Sequence, residues 1–195
     1  VRESILGNIK KLCCSDVIAT KQAVEVVLSA VSVPSELNLQ AQLHTSTIYL
    51  NITQNLNMIT NKTDVKNMAG KIATGISLLM SSVTLLGNNT IQTNEINEAS
   101  LLALDNLGNT LLNQIEPGAP AIIVTTSLFT IAVQKHFPDK FPGTRLALPN
   151  QITEFVAPKT MIPVQGDFLS SKMISISKNP FLWKTSHRLN PNTNV

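Results

Sequence analysis

The sequence predicts an α+β protein in which an antiparallel helical bundle is followed by a partial antiparallel β-sandwich. Nine of the ten prolines and seven of the eight aromatic residues lie at or after Pro117. Proline is excluded from helix interiors, and aromatic side chains favour strands. Glu116-Pro117-Gly118 is a turn signal. We therefore expect a helical subdomain over residues 1–116 and a β-rich subdomain, itself incomplete, over residues 117–195.

Apolar residues recur at helical spacing in the first 116 residues. Between 64 and 86 they follow one another at intervals of three and four, which places them on one helix face: Val65, Met68, Ile72, Ile76, Leu79, Val83 and Leu86. Asn61 or Thr63 can cap the start of this helix. The same pattern predicts helices over 19–32, 36–60 and 94–115, and a short helix over 2–12. The connections are short, so neighbouring helices should run antiparallel.

Beyond Pro117 the pattern changes to the alternation expected of strands. Phe129, Ile131 and Val133 share one face of a predicted strand over 128–134. Further strands are predicted over 121–124, 145–148, 161–164 and 173–177, separated by proline and glycine. These segments indicate a small antiparallel sheet, followed by a polar loop over 184–195.

The charge pattern argues against a nucleic-acid partner. Only 14% of the residues are charged, the net charge is +3, and no more than two basic residues are adjacent. Phosphate binding requires a basic face. The polar surface comes instead from 19 Asn, 19 Thr and 16 Ser residues. No apolar run reaches the ~18 residues of a membrane helix.

No residue pattern indicates a catalytic, metal or cofactor site. His44, His136 and His187 stand far apart, and none has the spacing of zinc ligands. The chain has no glycine-rich phosphate loop. Ser, His and Asp all occur, but nothing in the sequence connects them. We therefore expect no enzymatic activity, no self-cleavage, no metal and no cofactor in this chain.

The two cysteines, Cys13 and Cys14, are adjacent. A disulfide between neighbouring residues needs a strained ring. Two interpretations remain: a thiol buried as a small apolar group, or a disulfide to a cysteine outside this segment.

Three Asn-x-Thr sequons are candidate sites of N-glycosylation. They begin at Asn51, Asn61 and Asn88. A chain with this content of Asn, Ser and Thr would contain about as many sequons by chance, but all three lie where a glycan could be attached. Asn61 and Asn88 fall at predicted breaks between helices, and Asn51 is one position from the apolar Ile52, so it can face solvent on its helix. We predict an extracellular glycoprotein in which Asn61 and Asn88 are the best-occupied acceptors.

Residues 173–183, Met-Ile-Ser-Ile-Ser-Lys-Asn-Pro-Phe-Leu-Trp, resemble a segment of the polycystin and receptor-for-egg-jelly family, where a strand precedes Asn-Pro-Phe. The helical block, the strand over 131–135 and the Phe-Pro pairs also resemble the region before the cleavage site of those proteins. That region has a GAIN-type fold, so the resemblance implies helices followed by a β-sandwich. The family's cleavage motif, His-Leu-Ser or His-Leu-Thr, is absent from this sequence.

The resemblance implies an extracellular structural or interaction module of a polycystin-like membrane receptor or cation-channel subunit. Such a module would lie on the outer face of the plasma membrane, including that of cilia or sperm. Its partners would be other domains of the same large membrane protein, a channel subunit and N-linked glycans. The GAIN-type region of an adhesion G-protein-coupled receptor is the alternative, and an intracellular helical scaffold is a third interpretation.

Overall fold

The structure is a computed structural model that describes residues 1–12, 16–59, 61–86, 91–143, 145–147, 154–156 and 168–177. These residues form five α-helices followed by short antiparallel strands, so the chain is an α+β protein. The last helix ends at residue 113 and the first strand begins at residue 122. The change from helix to strand therefore coincides with the change in composition around Pro117.

The five helices have the bounds α1 (Arg2–Leu12), α2 (Val17–Val31), α3 (Leu39–Asn55), α4 (Lys62–Leu86) and α5 (Ile91–Asn113). The helix predicted over 36–60 was too long at both ends. Pro34–Glu36 and Leu56–Met58 form 3-10 turns that flank α3. Helix α5 begins at residue 91 rather than 94, so its first turn precedes the expected start.

Short polar side chains set the starts of three helices. Asp16 accepts the Ala19 N–H at 2.8 Å ahead of α2, and Asn38 accepts the Ala41 N–H at 2.9 Å ahead of α3. Asn61 caps α4 in the same manner. Each cap satisfies an N–H group that has no partner within the helix itself.

Helix α4 contributes a large part of the core of the bundle. It packs against α2, α3, α5 and β1, and Ile72, Ile76 and Leu79 are fully buried along it. This confirms the predicted apolar stripe from Val65 to Val83, whereas the burial of Leu86 lies outside what the structure describes. Tyr49 of α3 is also fully buried, and its ring lies against the backbone of α4 at Gly75, where there is no room for a side chain.

The strands are β1 (Ile122–Thr125), β2 (Phe129–His136), β3 (Arg145–Ala147), β4 (Glu154–Val156) and β5 (Leu169–Ile176). β1, β2 and β5 form a three-stranded antiparallel sheet with β2 in the middle, and β3 pairs with β4. β4 was not predicted, and β5 begins four residues before the predicted 173. The strand predicted over 161–164 and the tail over 184–195 lie outside the described residues.

The predicted turn at residues 116–118 leads from the helices into the sheet. Gly118 has a φ of 81°, a left-handed conformation that favours glycine. Its N–H donates to the carbonyl oxygen of Lys135 in β2 at 3.0 Å. The turn is thereby fastened to the central strand.

One face of the sheet belongs to the same hydrophobic core as the helices. Phe129, Ile131 and Val133 are buried on this face, and Ile174 and Ile176 of β5 pack partly against it. Helix α5 packs against both β2 and β5. A single core therefore joins the helical and β-rich parts of the chain.

The opposite face of the sheet is covered as well. Ala132 is fully buried there, together with Leu146 of β3, and Ala121 and Met173 pack partly against this pair. Thr130 and His136 on the same face are also buried. Burial on both faces explains why β2 is the most enclosed strand among the described residues.

Candidate functional site

The clearest candidate site among the described residues is the sequon at Asn61, which stands immediately before α4. Asn61, Lys62 and Thr63 are all exposed. The Oδ1 atom of Asn61 accepts the Thr63 N–H at 3.0 Å and the Asp64 N–H at 3.3 Å. An amide side chain has both an acceptor oxygen and a nitrogen. The cap uses the oxygen and leaves the nitrogen for other chemistry.

The sequon at Asn51 has a different environment, inside α3. Asn51 is half-buried, and the next two residues, Ile52 and Thr53, are buried. The Thr53 hydroxyl donates to the Leu50 carbonyl oxygen at 3.0 Å. The threonine that a sequon requires is therefore enclosed in the folded chain.

The remaining sequence-derived candidates fall on segments without a described structure. Asn88, Cys13 and Cys14 all lie outside the described residues. Glycosylation at Asn88 and the two interpretations of the cysteines stay predictions.

The fold brings together one histidine and one serine that the sequence did not connect. The His136 Nε2 atom lies 3.1 Å from the Ser171 hydroxyl, and both residues are 6% exposed. Ser171 also lies 3.4 Å from the Gln134 carbonyl oxygen, to which its hydroxyl donates. When the serine donates to that carbonyl, the imidazole must supply the proton between them and cannot act as a base. We therefore interpret the pair as a buried link between β2 and β5.

No signal in the sequence could have found this pair, because it depends on strand register. His136 faces Leu169 across the ladder, and Gln134 faces Ser171. The two side chains meet diagonally on one face of the sheet. A shift of the pairing by one residue would place them on opposite faces.

We expect the free energy of unfolding to fall as the pH drops below about 6.5. Burial lowers the pKa of His136 from its usual 6.5 in the folded chain, so the unfolded chain takes up the proton first. The stability that depends on the neutral imidazole is full above this pH and is lost below it. Urea unfolding at pH 7.5 and pH 5.5 measures the change, and His136→Asn should reduce it. An equal pH dependence in both proteins would show that His136 is not the source.

A groove of about 710 Å³ lies between α1 and α3. Its lining carries both charge signs and an imidazole: Val1, Glu3, Ser4, Gly7, Asn8, Lys10 and His44. The Nδ1 atom of His44 is buried and has no hydrogen-bond partner among the described residues. Within the described part of the chain, no three His, Cys, Asp or Glu residues are grouped to hold a metal. The groove therefore offers polar contacts to a small molecule, but its described residues do not form a group of metal ligands.

None of the helices in the described ranges has the length and hydrophobicity to cross a membrane. No protein-family model matches the chain, and no curated protein matches it. The polycystin interpretation therefore depends on residues 173–183 and on the order of the structural elements.

Proposed function

We propose that the chain is an extracellular structural and interaction module of a polycystin-like membrane receptor or cation-channel subunit. The module acts without catalysis. It connects other domains of the same large membrane protein, contacts a channel subunit and carries N-linked glycans. The finer fold that we propose is a GAIN-like sandwich, in which β3 and β4 belong to the second layer.

The observation that carries this proposal is the single hydrophobic core shared by the helices and the sheet. Ile131 and Val133 of β2 belong to the same buried cluster as Leu104 and Leu107 of α5. Parts of a domain that share a core move together, because close-packed interiors transmit displacement. A helical block rigidly joined to a sheet is suited to hold neighbouring domains in a fixed relation.

A polar tie between β5 and α5 adds to this connection. The Lys172 ammonium donates to Oδ1 of Asp105 at 2.6 Å and to Oδ1 of Asn109 at 2.7 Å. Its side chain crosses α5 at Gly108, where a Cβ atom would lie 2.7 Å from Lys172 Cδ. The Asp105 side chain is 49% exposed, so the pair adds only about 0–1 kcal/mol. Its effect is to fix where β5 lies on the helix.

The resembling segment begins on this strand. Residues 173–176 are the second half of β5, whereas Asn179, Pro180 and Phe181 lie outside the described residues. In our proposal, a load applied beyond β5 reaches the helical block through β2 and the Lys172 tie. The module would thereby communicate tension to or from the membrane region.

The compartment is tested with the full-length protein in cells. An epitope tag inserted between Pro142 and Gly143 falls in an exposed turn with open space around the glycine. We expect antibody to label the tag on unpermeabilised cells. Labelling only after permeabilisation would overturn the extracellular proposal and favour an intracellular scaffold. The membrane topology of the same full-length protein separates a polycystin-like channel from an adhesion receptor.

A further inference from the structure

We infer that Asn61 is a glycan acceptor whose side chain has two separate roles. Its oxygen caps helix α4, and its nitrogen carries an N-linked glycan. The inference rests on the proposed extracellular function, since the modification occurs in the secretory route. It goes beyond that function because it assigns the modification to one of the two described sequons. It also connects the modified residue to the capping of α4.

The geometry of the cap leaves the acceptor nitrogen available. Among the described residues, both hydrogen bonds of the side chain end on Oδ1, at 3.0 Å from the Thr63 nitrogen and 3.3 Å from the Asp64 nitrogen. A glycan bonded to Nδ2 replaces one amide proton and leaves the lone pairs of Oδ1 in place. The modified side chain can therefore cap α4 as the unmodified one does.

The Asx turn at the start of α4 also arranges the sequon itself. Because the Thr63 N–H donates to Asn61, the turn holds the asparagine and the threonine of the sequon close together. The intervening Lys62 is directed towards Glu116, with 2.6 Å between the ammonium and the carboxylate. All three sequon residues are exposed, so an enzyme can reach them from solvent.

The donor of the glycan is a lipid-pyrophosphate-linked oligosaccharide, and the acceptor is the Nδ2 atom of Asn61. A bond forms between Nδ2 and the anomeric carbon of the first sugar, and the bond from that carbon to the pyrophosphate oxygen breaks. The lipid pyrophosphate leaves, and a base of the transferase takes one amide proton. No oxidant or reductant is required.

The Asn51 sequon does not provide the same access. Its threonine is 1% exposed and its hydroxyl is bonded to the Leu50 carbonyl oxygen. Asn51 itself is half-buried, whereas Asn61 is exposed, so the amide of Asn51 is less open to solvent. We expect the folded, secreted chain to carry a glycan at Asn61 and not at Asn51.

The experiment uses the 195-residue chain secreted from eukaryotic cells behind a heterologous leader. Peptide mass spectrometry measures the occupancy of Asn61 and Asn51 in the secreted protein. Thr63→Ala and Asn61→Asp should both abolish occupancy at residue 61. Both retain an oxygen that can cap α4. Because the leader forces entry into the secretory route, the result does not depend on the natural compartment of the protein.

The capping role is measured on the same variants produced in bacteria, where this glycan is absent. Asn61→Ala should lower the folded-to-unfolded ratio roughly five-fold, as expected when a cap is lost. Asn61→Asp and Thr63→Ala should stay near the wild-type ratio.

Three outcomes would overturn the inference. Unmodified Asn61 in the secreted protein, beside a secreted control glycoprotein that is modified, refutes the acceptor role. Occupancy of Asn51 equal to that of Asn61 refutes the selection between them. An Asn61→Ala stability equal to that of wild type refutes the cap. None of these repeats the cell-surface test, so a failure here is distinguishable from a failure of the proposed function.

Discussion

Replacing Gly75 with alanine should destabilise the folded chain by about 3 kcal/mol, at the upper end of what overpacking usually costs. A Cβ atom at this position would overlap the hydroxyl oxygen and Cζ of Tyr49 and lie 3.2 Å from its Cε2 atom. Tyr49 is fully buried, so its ring has no solvent to move into. Either the ring or the backbone of α4 must shift. Urea unfolding followed by circular dichroism gives the change in the free energy of unfolding.

Gly70 provides a matched control on the same helix. No heavy atom lies within 4 Å of a Cβ atom built there, and alanine is the better helix former by about 1 kcal/mol. Gly70→Ala should therefore leave stability unchanged or raise it. Equal effects of the two substitutions would show that the contact between Gly75 and Tyr49 is absent.

A double-mutant cycle assigns the effect to the tyrosine. In a Tyr49→Leu background the hydroxyl and the ring edge are gone, so Gly75→Ala should lose most of its cost. An undiminished cost in that background would place the clash elsewhere.

The tyrosine hydroxyl is also buried without a hydrogen-bond partner among the described residues. Burial raises its pKa above the usual range, which keeps the phenol neutral.

The helices could be predicted from the sequence because apolar residues recur along each of them at intervals of three and four. Six apolar residues from Val65 to Val83 mark one face of α4, and the helix bounds followed within a few residues. The errors came at the start of α5 and, above all, at the ends of α3, where local turn chemistry decides. Asn38 is the N-cap of α3, so the helix begins only at Leu39. At the other end the α-helix stops at Asn55, and Leu56 begins a 3-10 turn.

The sheet could be predicted only in part because strand length depends on the partner strand. Ser170 and Ser171 carry no apolar alternation, yet they are in β5 because the eight residues of β2 supply eight partners. The same reason applies to β4, whose three residues pair with the three of β3. β2 and β5 are more than 30 residues apart in the chain, so no pattern local to β5 predicts the length of their pairing.

The candidate sites, too, could be predicted only in part from the sequence. A sequon is a local pattern, so Asn61 and Asn51 were both found, and Asn61 was also expected as a helix cap. Their different environments follow from packing, which encloses Thr53 and leaves Thr63 exposed. The contact of His136 with Ser171 and that of Tyr49 with Gly75 join different elements. Their residue types alone gave no reason to pair them.

Truncating Ile76 to alanine should cost about 2–5 kcal/mol of stability, because its side chain is completely buried in the middle of α4. The residue belongs to the cluster in which α4 meets α2, α3 and α5. Removing three carbon atoms there leaves a cavity whose walls belong to separate helices, and close packing limits how far those walls can collapse. The measurement is the midpoint and slope of urea unfolding.

A graded series on α4 tests whether burial causes this loss. Ile76→Val removes one methyl group and should cost about 0.5–1.5 kcal/mol. Lys66→Ala changes an exposed position of the same helix and should stay within about 0.5 kcal/mol of wild type. If Ile76→Ala unfolds at the wild-type midpoint, the apolar stripe of α4 does not face the core. If Lys66→Ala costs as much as Ile76→Ala, burial is not the cause of the loss at residue 76, because alanine is the better helix former at both positions. The expected order, with Ile76→Ala far below Ile76→Val and Lys66→Ala near wild type, follows only when the apolar stripe faces the core.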